Sequence, residues 1–154
     1  MNESLNENFD NLHKLGVKIV IRGSIEKLDN SLKRKIIGAQ KKTLNNKSIS
    51  LVIAFDYGGR NEIVNTVKDI VKDDIKFSEI NEELFNKYIN KDEIPDPDLI
   101  IRTGGEYRLS NFLIWQSAYS EFYTSEVLWP DFTMSDFFDA LESYSLRSRR
   151  FGTN

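Results

Sequence analysis

The segment RTGGEYRLSNF, residues 102–112, contains the side chains best suited to hold an anion. Arg102 and Arg108 supply two guanidinium groups, and Ser110 adds a hydroxyl. The glycine pair at 104–105 lets backbone amides approach a ligand. Because the segment directly follows an apolar run, these donors come at the end of a predicted strand. The pattern is typical of phosphate binding.

A second junction has a similar composition. The stretch AFDYGGRNE, residues 54–62, connects a predicted strand to a predicted helix through Gly58, Gly59 and Arg60. Glycines beside a helix N-terminus and an arginine can form a phosphate loop. A tight turn with a solvated arginine explains the same residues, since glycine pairs are common at helix starts. Both interpretations stay open.

The composition excludes several classes of function. The chain has 154 residues, a formal net charge of −3, 40% hydrophobic residues and no cysteine. These values predict a single globular domain over residues 1–154, without disulfides, thiol catalysis, thiolate metal sites or a general attraction to nucleic acid. The single histidine, His13, has the spacing of an ordinary helix residue. No run approaches the ~20 apolar residues of a membrane span and no secretory signal is present, so the cytoplasm is the expected compartment.

Apolar periodicity predicts strands that alternate with helices. The predicted strands are VKIVIRG (17–23), ISLVIAF (49–55) and DLIIR (98–102), and the second is apolar enough to be buried on both faces. Helices are predicted before Gly16 and over 31–44, 61–72 and 81–89. This alternation implies an α/β fold with a mainly parallel sheet flanked by helices. Ligands of such sheets bind beyond the carboxyl ends of the strands.

Two further helices are predicted after the third strand. The aromatic residues Phe112, Trp115, Tyr119 and Phe122 recur at helical spacing. The stretch from Thr133 to Asp136 has the form of a capping box and predicts the start of the last helix.

Long stretches of the sequence resemble the cis-prenyltransferase family, which includes undecaprenyl diphosphate synthase. The resemblance lies in PDPDLIIRTGGEYRLSNFLIWQSAYSEFYTSEVLWPDF (95–132), in RSRRFG (147–152), and in GVKIVIRG and IAFDYGGRNEI. It covers nearly the whole chain, as the C-terminal part of that fold. It implies an enzyme that condenses isopentenyl diphosphate onto an allylic diphosphate such as farnesyl diphosphate, making polyprenyl lipid carriers for cell-wall polymers.

The resemblance also implies roles for individual residues. Arg102, Arg108 and Ser110 are expected to grip the diphosphate of isopentenyl diphosphate. Glu121, on the helix that follows, is expected to be a ligand of the cofactor Mg²⁺, although a surface carboxylate is the plainer reading of the residue alone. In a homodimer, the tail with Arg150 and Gly152 is expected to reach the neighbouring subunit's diphosphate site.

Other implications concern the aromatic residues between 112 and 122. They could line a tunnel for a prenyl chain, but core or subunit-interface packing is the interpretation we favour. Contact with a membrane is expected only through the product.

The sequence also departs from the family pattern. Ser24 and Asp56 stand where relatives commonly have aspartate and asparagine, and Asp56 brings a negative charge that could weaken diphosphate binding. Relatives begin with a loop whose aspartate assists ionisation of the magnesium-bound diphosphate, and no such loop is present. No catalytic residue is therefore identified. We expect the chain to be N-terminally incomplete, or one component of a two-chain enzyme, and inactive alone.

Two other functions compete with this one. The chain could be a non-catalytic partner subunit of a two-chain prenyltransferase. Partners of that type often lose the arginine-rich motif, which this chain keeps, so enzyme function is favoured. A general phosphate- or nucleotide-binding α/β module ranks below both, because the sequence has no recognisable nucleotide fingerprint.

Overall fold

The computed structural model describes residues 2–148. The chain separates after Ile94 into two compact units. The expectation of a single domain stays a prediction. Within the described range, no helix has both the length and the apolar character needed to cross a membrane.

The first unit is a two-stranded parallel sheet with helices. Its elements are α1 (Asn2–Lys14), β1 (Val17–Gly23), α2 (Asn30–Thr43), β2 (Ile49–Phe55), α3 (Gly59–Lys72), a 3₁₀ turn (Phe77–Glu79) and α4 (Glu82–Ile89). β1 and β2 pair along their whole length, from Val17 opposite Ile49 to Gly23 opposite Phe55. The predicted strands and helices of this unit are confirmed, with helix ends shifted by one or two residues.

Local capping explains where α2 and α4 begin. Asp29 accepts hydrogen bonds from Ser31 N and Leu32 N at 2.9 and 3.0 Å, and so caps α2. Asn81 does the same for α4 by accepting from Leu84 N at 2.9 Å. Each cap satisfies amides that have no partner within the helix.

The core of the first unit forms on β1 rather than on β2. Val17, Ile19 and Val20 are buried, and β1 contacts both α1 and α2. β2 is exposed along most of its length, so the prediction that it is buried on both faces is wrong for the described residues. β2 is exposed because no described element covers its apolar side chains.

The second unit is another parallel pair followed by a helix. Its elements are β3 (Leu99–Thr103), β4 (Glu121–Ser125), a 3₁₀ turn (Trp129–Asp131) and α5 (Met134–Ser145). Leu99 lies opposite Glu121, and Arg102 lies opposite Thr124. The prediction of an α/β fold with parallel strands and helices is thus confirmed.

The connection between β3 and β4 differs from the predicted helix. Residues 104–120 form turns and bends, and Phe122 lies on β4. Ser110, Asn111 and Leu113 have φ values of 48°, 65° and 44°, in the left-handed region. Residues in that region interrupt a right-handed helix, so the aromatic spacing alone was misleading.

α5 starts where the sequence predicted. Thr133 Oγ1 accepts from Asp136 N at 3.5 Å, while Asp136 Oδ2 accepts from Thr133 N at 2.7 Å. This reciprocal pair is a capping box. Ala140 is the fully buried residue of the helix, whereas Phe137 and Phe138 are exposed.

Candidate diphosphate site

Arg102 is the penultimate residue of β3 and organises the loop that follows it. Its Nη1 donates a hydrogen bond to Ser110 Oγ at 3.1 Å and another to the carbonyl oxygen of Arg108. The Arg102 guanidinium therefore contacts both the hydroxyl of Ser110 and the backbone of Arg108. The structure brings Arg102, Arg108 and Ser110 together, as their expected common role requires.

The glycine pair bends the chain between the strand and this loop. Gly104 and Gly105 have φ values of 84° and 69°, which favour glycine. Their amides donate to the carbonyl oxygens of Val127 and Ser125, at 2.8 and 2.9 Å. The sequence predicted that these amides approach a ligand. In the structure, both N–H groups instead donate to backbone carbonyls and anchor the turn.

The loop and the strands enclose an open pocket of about 450 Å³. Its lining combines one guanidinium-rich side with an apolar wall. The lining residues are Ile100, Ile101, Arg102, Glu106, Tyr107, Arg108, Leu109, Ser110, Phe112, Phe122, Tyr123 and Thr124. Such a pocket suits a ligand with a dense anion attached to a small apolar group.

Arg108 forms an ion pair with Glu106 inside this loop. The side chains are 60% and 46% exposed, so water screens their attraction. Exposed pairs of this type contribute about 0.2–1 kcal/mol. Replacing Glu106 by a diphosphate as the partner of Arg108 would therefore cost little free energy.

Glu121 lies apart from these donors. It is the first residue of β4, so its position on a helix, expected from the sequence, is wrong. It lies opposite Leu99, three residues along the strand from Arg102, which corresponds to ~10 Å at 3.3 Å per residue. It does not line the pocket. Its Oε2 accepts a hydrogen bond from Arg147 Nη1 at 2.8 Å.

The second candidate loop forms the start of α3. Gly58 is the N-cap residue and Gly59 is buried at the first helical position. Gly58 lines a pocket of about 280 Å³ whose charged residues include Asp56, Glu62, Asp69 and Asp92 as well as Arg22 and Lys91. Arg60 is exposed and does not line it. Four carboxylates make this pocket a poor anion site, which favours the tight-turn interpretation.

The two departures from the family pattern, Ser24 and Asp56, line that pocket. Asp56 has a φ of 44° and forms an ion pair with Lys27 at 2.9 Å, so its charge is partly balanced. Ser24 Oγ accepts from Glu26 N at 3.2 Å and thereby shapes its own loop.

Sequence reasoning missed a polar network around Arg22. This residue is at the end of β1, and its side chain is only 10% exposed. Its Nε lies 3.6 Å from Glu62 Oε1, and its Nη2 donates to Asn90 Oδ1 at 3.3 Å. The hydroxyl of Tyr57 donates to Glu62 Oε2 at 2.6 Å. An arginine near the carboxyl end of a mostly apolar strand is the signal that could have revealed it.

Arg150 and Gly152, the predicted tail residues, lie outside the described residues. His13 is part of ordinary packing at the end of α1, where its Nδ1 is 3.1 Å from Asn46 Nδ2.

Comparison with known proteins identifies the family. The profile of the undecaprenyl diphosphate synthase family matches residues 1–152. The chain belongs to this family. An isoprenyl transferase of Thermotoga maritima is 50% identical over 143 residues, covering 92% of this chain and 61% of that protein. An isoprenyl transferase of Clostridium perfringens is 44% identical over 154 residues, covering 97% and 61%.

The fold comparison agrees with this family assignment. The crystal structure of lavandulyl diphosphate synthase from Lavandula x intermedia, in complex with dimethylallyl diphosphate, superposes with a TM-score of 0.90 at 31% identity. The match covers 99% of this chain and 68% of that one. The chain therefore spans about three fifths of the length of the curated family members it matches. The recognition of a cis-prenyltransferase from the sequence is confirmed.

Proposed function

We propose that this chain takes part in cis-prenyl transfer and carries the binding site for isopentenyl diphosphate. The observation that supports this best is the contact of Arg102 with Ser110 and with the backbone of Arg108, at the rim of an apolar pocket. The product is a polyprenyl diphosphate that serves as a lipid carrier for cell-wall polymers. The second substrate is an allylic diphosphate such as farnesyl diphosphate.

The residues of this pocket act mainly by binding and orientation. Arg102 and Arg108 neutralise the diphosphate of isopentenyl diphosphate, and each charge-assisted hydrogen bond contributes about 1.5–3 kcal/mol. The apolar wall holds the isopentenyl group so that its double bond meets the allylic carbon. At the allylic carbon, the C–O bond breaks and the leaving diphosphate keeps its electron pair. The double bond of isopentenyl diphosphate forms the new C–C bond, and a proton is then lost from the isopentenyl unit.

Mg²⁺ is the proposed cofactor, and the described residues meet its needs only in part. Among the side chains that the structure describes, residues 8–148, no cluster of three or more carboxylate, histidine or cysteine groups could hold a metal ion. Mg²⁺ commonly takes one or two carboxylates together with substrate phosphates and water. Glu121 can supply one such carboxylate after release from Arg147. Bound Mg²⁺ would neutralise diphosphate charge.

We also propose a homodimer in which Arg150 and Gly152 of one subunit reach the diphosphate site of the other. The cytoplasm is the proposed compartment. The alternative function, a non-catalytic partner subunit, is favoured by the pairing of Glu121 with Arg147. It is disfavoured by the intact Arg102, Arg108 and Ser110 arrangement.

Calorimetric titration of the 154-residue chain with isopentenyl diphosphate tests the site. The wild type should bind weakly, and Arg102→Ala should lower the affinity at least about tenfold, because a charge-assisted contact of 1.5 kcal/mol corresponds to that factor. Arg34→Ala, an exposed arginine of α2, is the matched control and should bind like the wild type. Arg60→Ala should change the affinity less than about threefold if the 58–60 segment is a turn. Equal affinities of wild type and Arg102→Ala would refute the assignment.

A further inference from the structure

The basic residues of the chain are concentrated in one segment. Residues 14–47 contain ten Lys or Arg residues but two Asp or Glu residues, which gives a formal charge of +8. The other residues contain eleven Lys or Arg against twenty-two Asp or Glu, a formal charge of −11. The net charge of −3 therefore conceals two parts of opposite sign. Such an asymmetry is typical of proteins that bind an anionic partner through one surface.

Helix α2 carries five of these cations and exposes some of them on its outer side. Ala39 and Thr43 are buried and define the inner side of the helix. Arg34 and Lys41, two turns apart, lie on the opposite side and are exposed. A Cβ added at Gly38, which lies between them, would meet no atom within 4 Å. No described residue therefore covers the outer side of α2 at this point.

Two exposed apolar residues lie beside these cations. Ile37 and Leu44 are 41% and 62% exposed and are also two turns apart along the helix. We call Arg34, Ile37, Lys41 and Leu44 the basic face of α2. Cations mixed with exposed apolar side chains on a helix are the composition that binds the headgroup layer of a bilayer.

The two cations of the basic face differ from a neighbouring lysine in their pairing. Lys42, on the flank of α2, forms an ion pair with Asp10 of α1 at 2.7 Å. No carboxylate of the described residues pairs with Arg34 or Lys41. The charges of these two side chains are therefore available to an external anion.

We propose that the basic face of α2 docks this chain on a membrane surface through anionic phospholipid headgroups. Arg34 and Lys41 meet the phosphate groups, while Ile37 and Leu44 enter the boundary between headgroups and acyl chains. The use of this contact rests on the proposed function, because a polyprenyl product has to enter a bilayer. The sequence alone led us to expect membrane contact only through the product, whereas this contact is made by the protein itself.

Nucleic acid fits the basic face less well, although its phosphates offer similar chemistry. α2 has no aromatic residue that could stack on a base, and a hydrated phosphate backbone would leave Ile37 and Leu44 without an apolar surface to cover them. The formal charge of −11 on the rest of the chain also repels an extended polyanion. A bilayer touches one side of a protein, so acidic residues elsewhere can face away from it.

Vesicle co-sedimentation of the 154-residue chain tests the docking in the absence of substrates and Mg²⁺. One set of vesicles is phosphatidylcholine alone, and the other contains about 30% phosphatidylglycerol as the source of anionic headgroups. The chain should bind the anionic vesicles at least about tenfold more tightly than the neutral ones. Raising the salt from about 0.1 M to about 0.5 M should remove most of this preference, because salt screens exposed charges.

Substitutions locate the surface. Arg34→Gln combined with Lys41→Gln should weaken binding to the anionic vesicles roughly 25-fold, since each cation near such a surface contributes about a factor of five. Lys68→Gln combined with Lys72→Gln removes the same charge from exposed positions of α3 and is the matched control, which should bind nearly as tightly as the wild type. Glutamine keeps the helix propensity of the replaced residues. Should the double α2 variant melt early, the two single variants, each expected to lose about fivefold, replace it.

Leu44→Gln separates a bilayer from nucleic acid as the occupant. It should weaken binding to anionic vesicles at least about threefold, because less apolar surface enters the headgroup boundary. Binding to a double-stranded oligonucleotide, measured in parallel, should be weaker than binding to the anionic vesicles.

Four results would overturn the proposal. They are equal binding of the wild type to neutral and anionic vesicles, wild-type affinity in the double α2 variant, an equal loss in the α3 control, and tighter binding to the oligonucleotide than to the vesicles. The first would indicate general apolar adhesion, and the last would identify nucleic acid as the partner. None of these measurements involves a diphosphate substrate, so a failure here is distinct from a failure of the substrate site.

Discussion

Arg147 Nη1 lies 2.8 Å from Glu121 Oε2 and thereby joins the segment after α5 to the first residue of β4. Arg147 Nη2 also donates to Ser143 Oγ at 3.4 Å, which fixes the guanidinium against the helix. Both side chains of the ion pair are about one third exposed. The carboxylate that family resemblance assigns to Mg²⁺ is thus the ion-pair partner of Arg147.

Breaking this ion pair should lower stability by a small, non-additive amount. Glu121→Gln and Arg147→Gln should each reduce the free energy of unfolding by about 0.2–1 kcal/mol, since the pair is partly exposed. The double variant should cost less than the sum of the two. Urea unfolding measures this, with Glu142→Gln, an exposed residue of α5, as control. Strict additivity would show that the two side chains do not interact.

Variants of Ser110 should separate the contribution of its hydroxyl to ligand binding from the effect of its backbone conformation on stability. Its φ of 48° favours glycine, while its Oγ accepts from Arg102. Ser110→Ala should weaken isopentenyl diphosphate binding and lower the melting temperature. Ser110→Gly should weaken binding to a similar degree but melt at a higher temperature than the alanine variant. The idea fails if both variants bind isopentenyl diphosphate as tightly as the wild type.

The capping box of α5 should make the second unit sensitive to acid. Hydrogen bonds from the side chain and then the backbone of Thr133 hold the pKa of Asp136 below its usual value. A lowered folded-state pKa adds stability above the unfolded pKa, and this stability is lost as pH falls through the folded pKa.

Thr133→Ala should raise the pKa of Asp136 toward its ordinary value and reduce this part of the pH dependence. Loss of the N-cap hydroxyl itself should cost about 0.5–2 kcal/mol. NMR titration of the Asp136 carboxyl and thermal melting from neutral to acid pH measure both effects. Ser135→Ala, at an exposed neighbouring position, is the control. An unchanged Asp136 titration in Thr133→Ala would contradict the capping explanation.

A polypeptide of these 154 residues alone should show no measurable prenyl transfer with Mg²⁺ and both substrates. Its described residues hold one candidate metal carboxylate, and that carboxylate pairs with Arg147. Loss of a single preorganised electrostatic group can cost ~10²–10³ in rate. Radiolabelled isopentenyl diphosphate incorporation is the measurement.

Adding the remaining segment of a relative should restore part of the activity. That rescue should require Arg102, Arg108 and Glu121, and depend more weakly on Arg150. Robust synthesis of polyprenyl diphosphate by the unaided polypeptide would show that another carboxylate completes the site.

The sequence alone determined the order and type of most elements. β1 and β2 have the bounds read from apolar runs 17–23 and 49–55, and α5 begins at the capping box of Thr133. These features depend on side-chain periodicity and on bonds between residues a few positions apart. Such local causes are readable in a linear string. The arginines and serine of the candidate diphosphate site were readable for the same reason, because all three lie within nine residues.

Only the tertiary structure decided what the remaining side chains contact. Turns with left-handed residues, Ser110 and Leu113 among them, replaced the helix expected after β3, since aromatic spacing does not report φ. Glu121 pairs with Arg147, which is 26 residues away in the sequence. Arg22 pairs with Glu62 within the first unit. Chain folding brings such partners within a few ångströms, while nothing in the linear order indicates which of many charges will meet. β2 is a further example, because its apolar sequence predicts a buried strand, but whether the strand is buried depends on which elements pack against it.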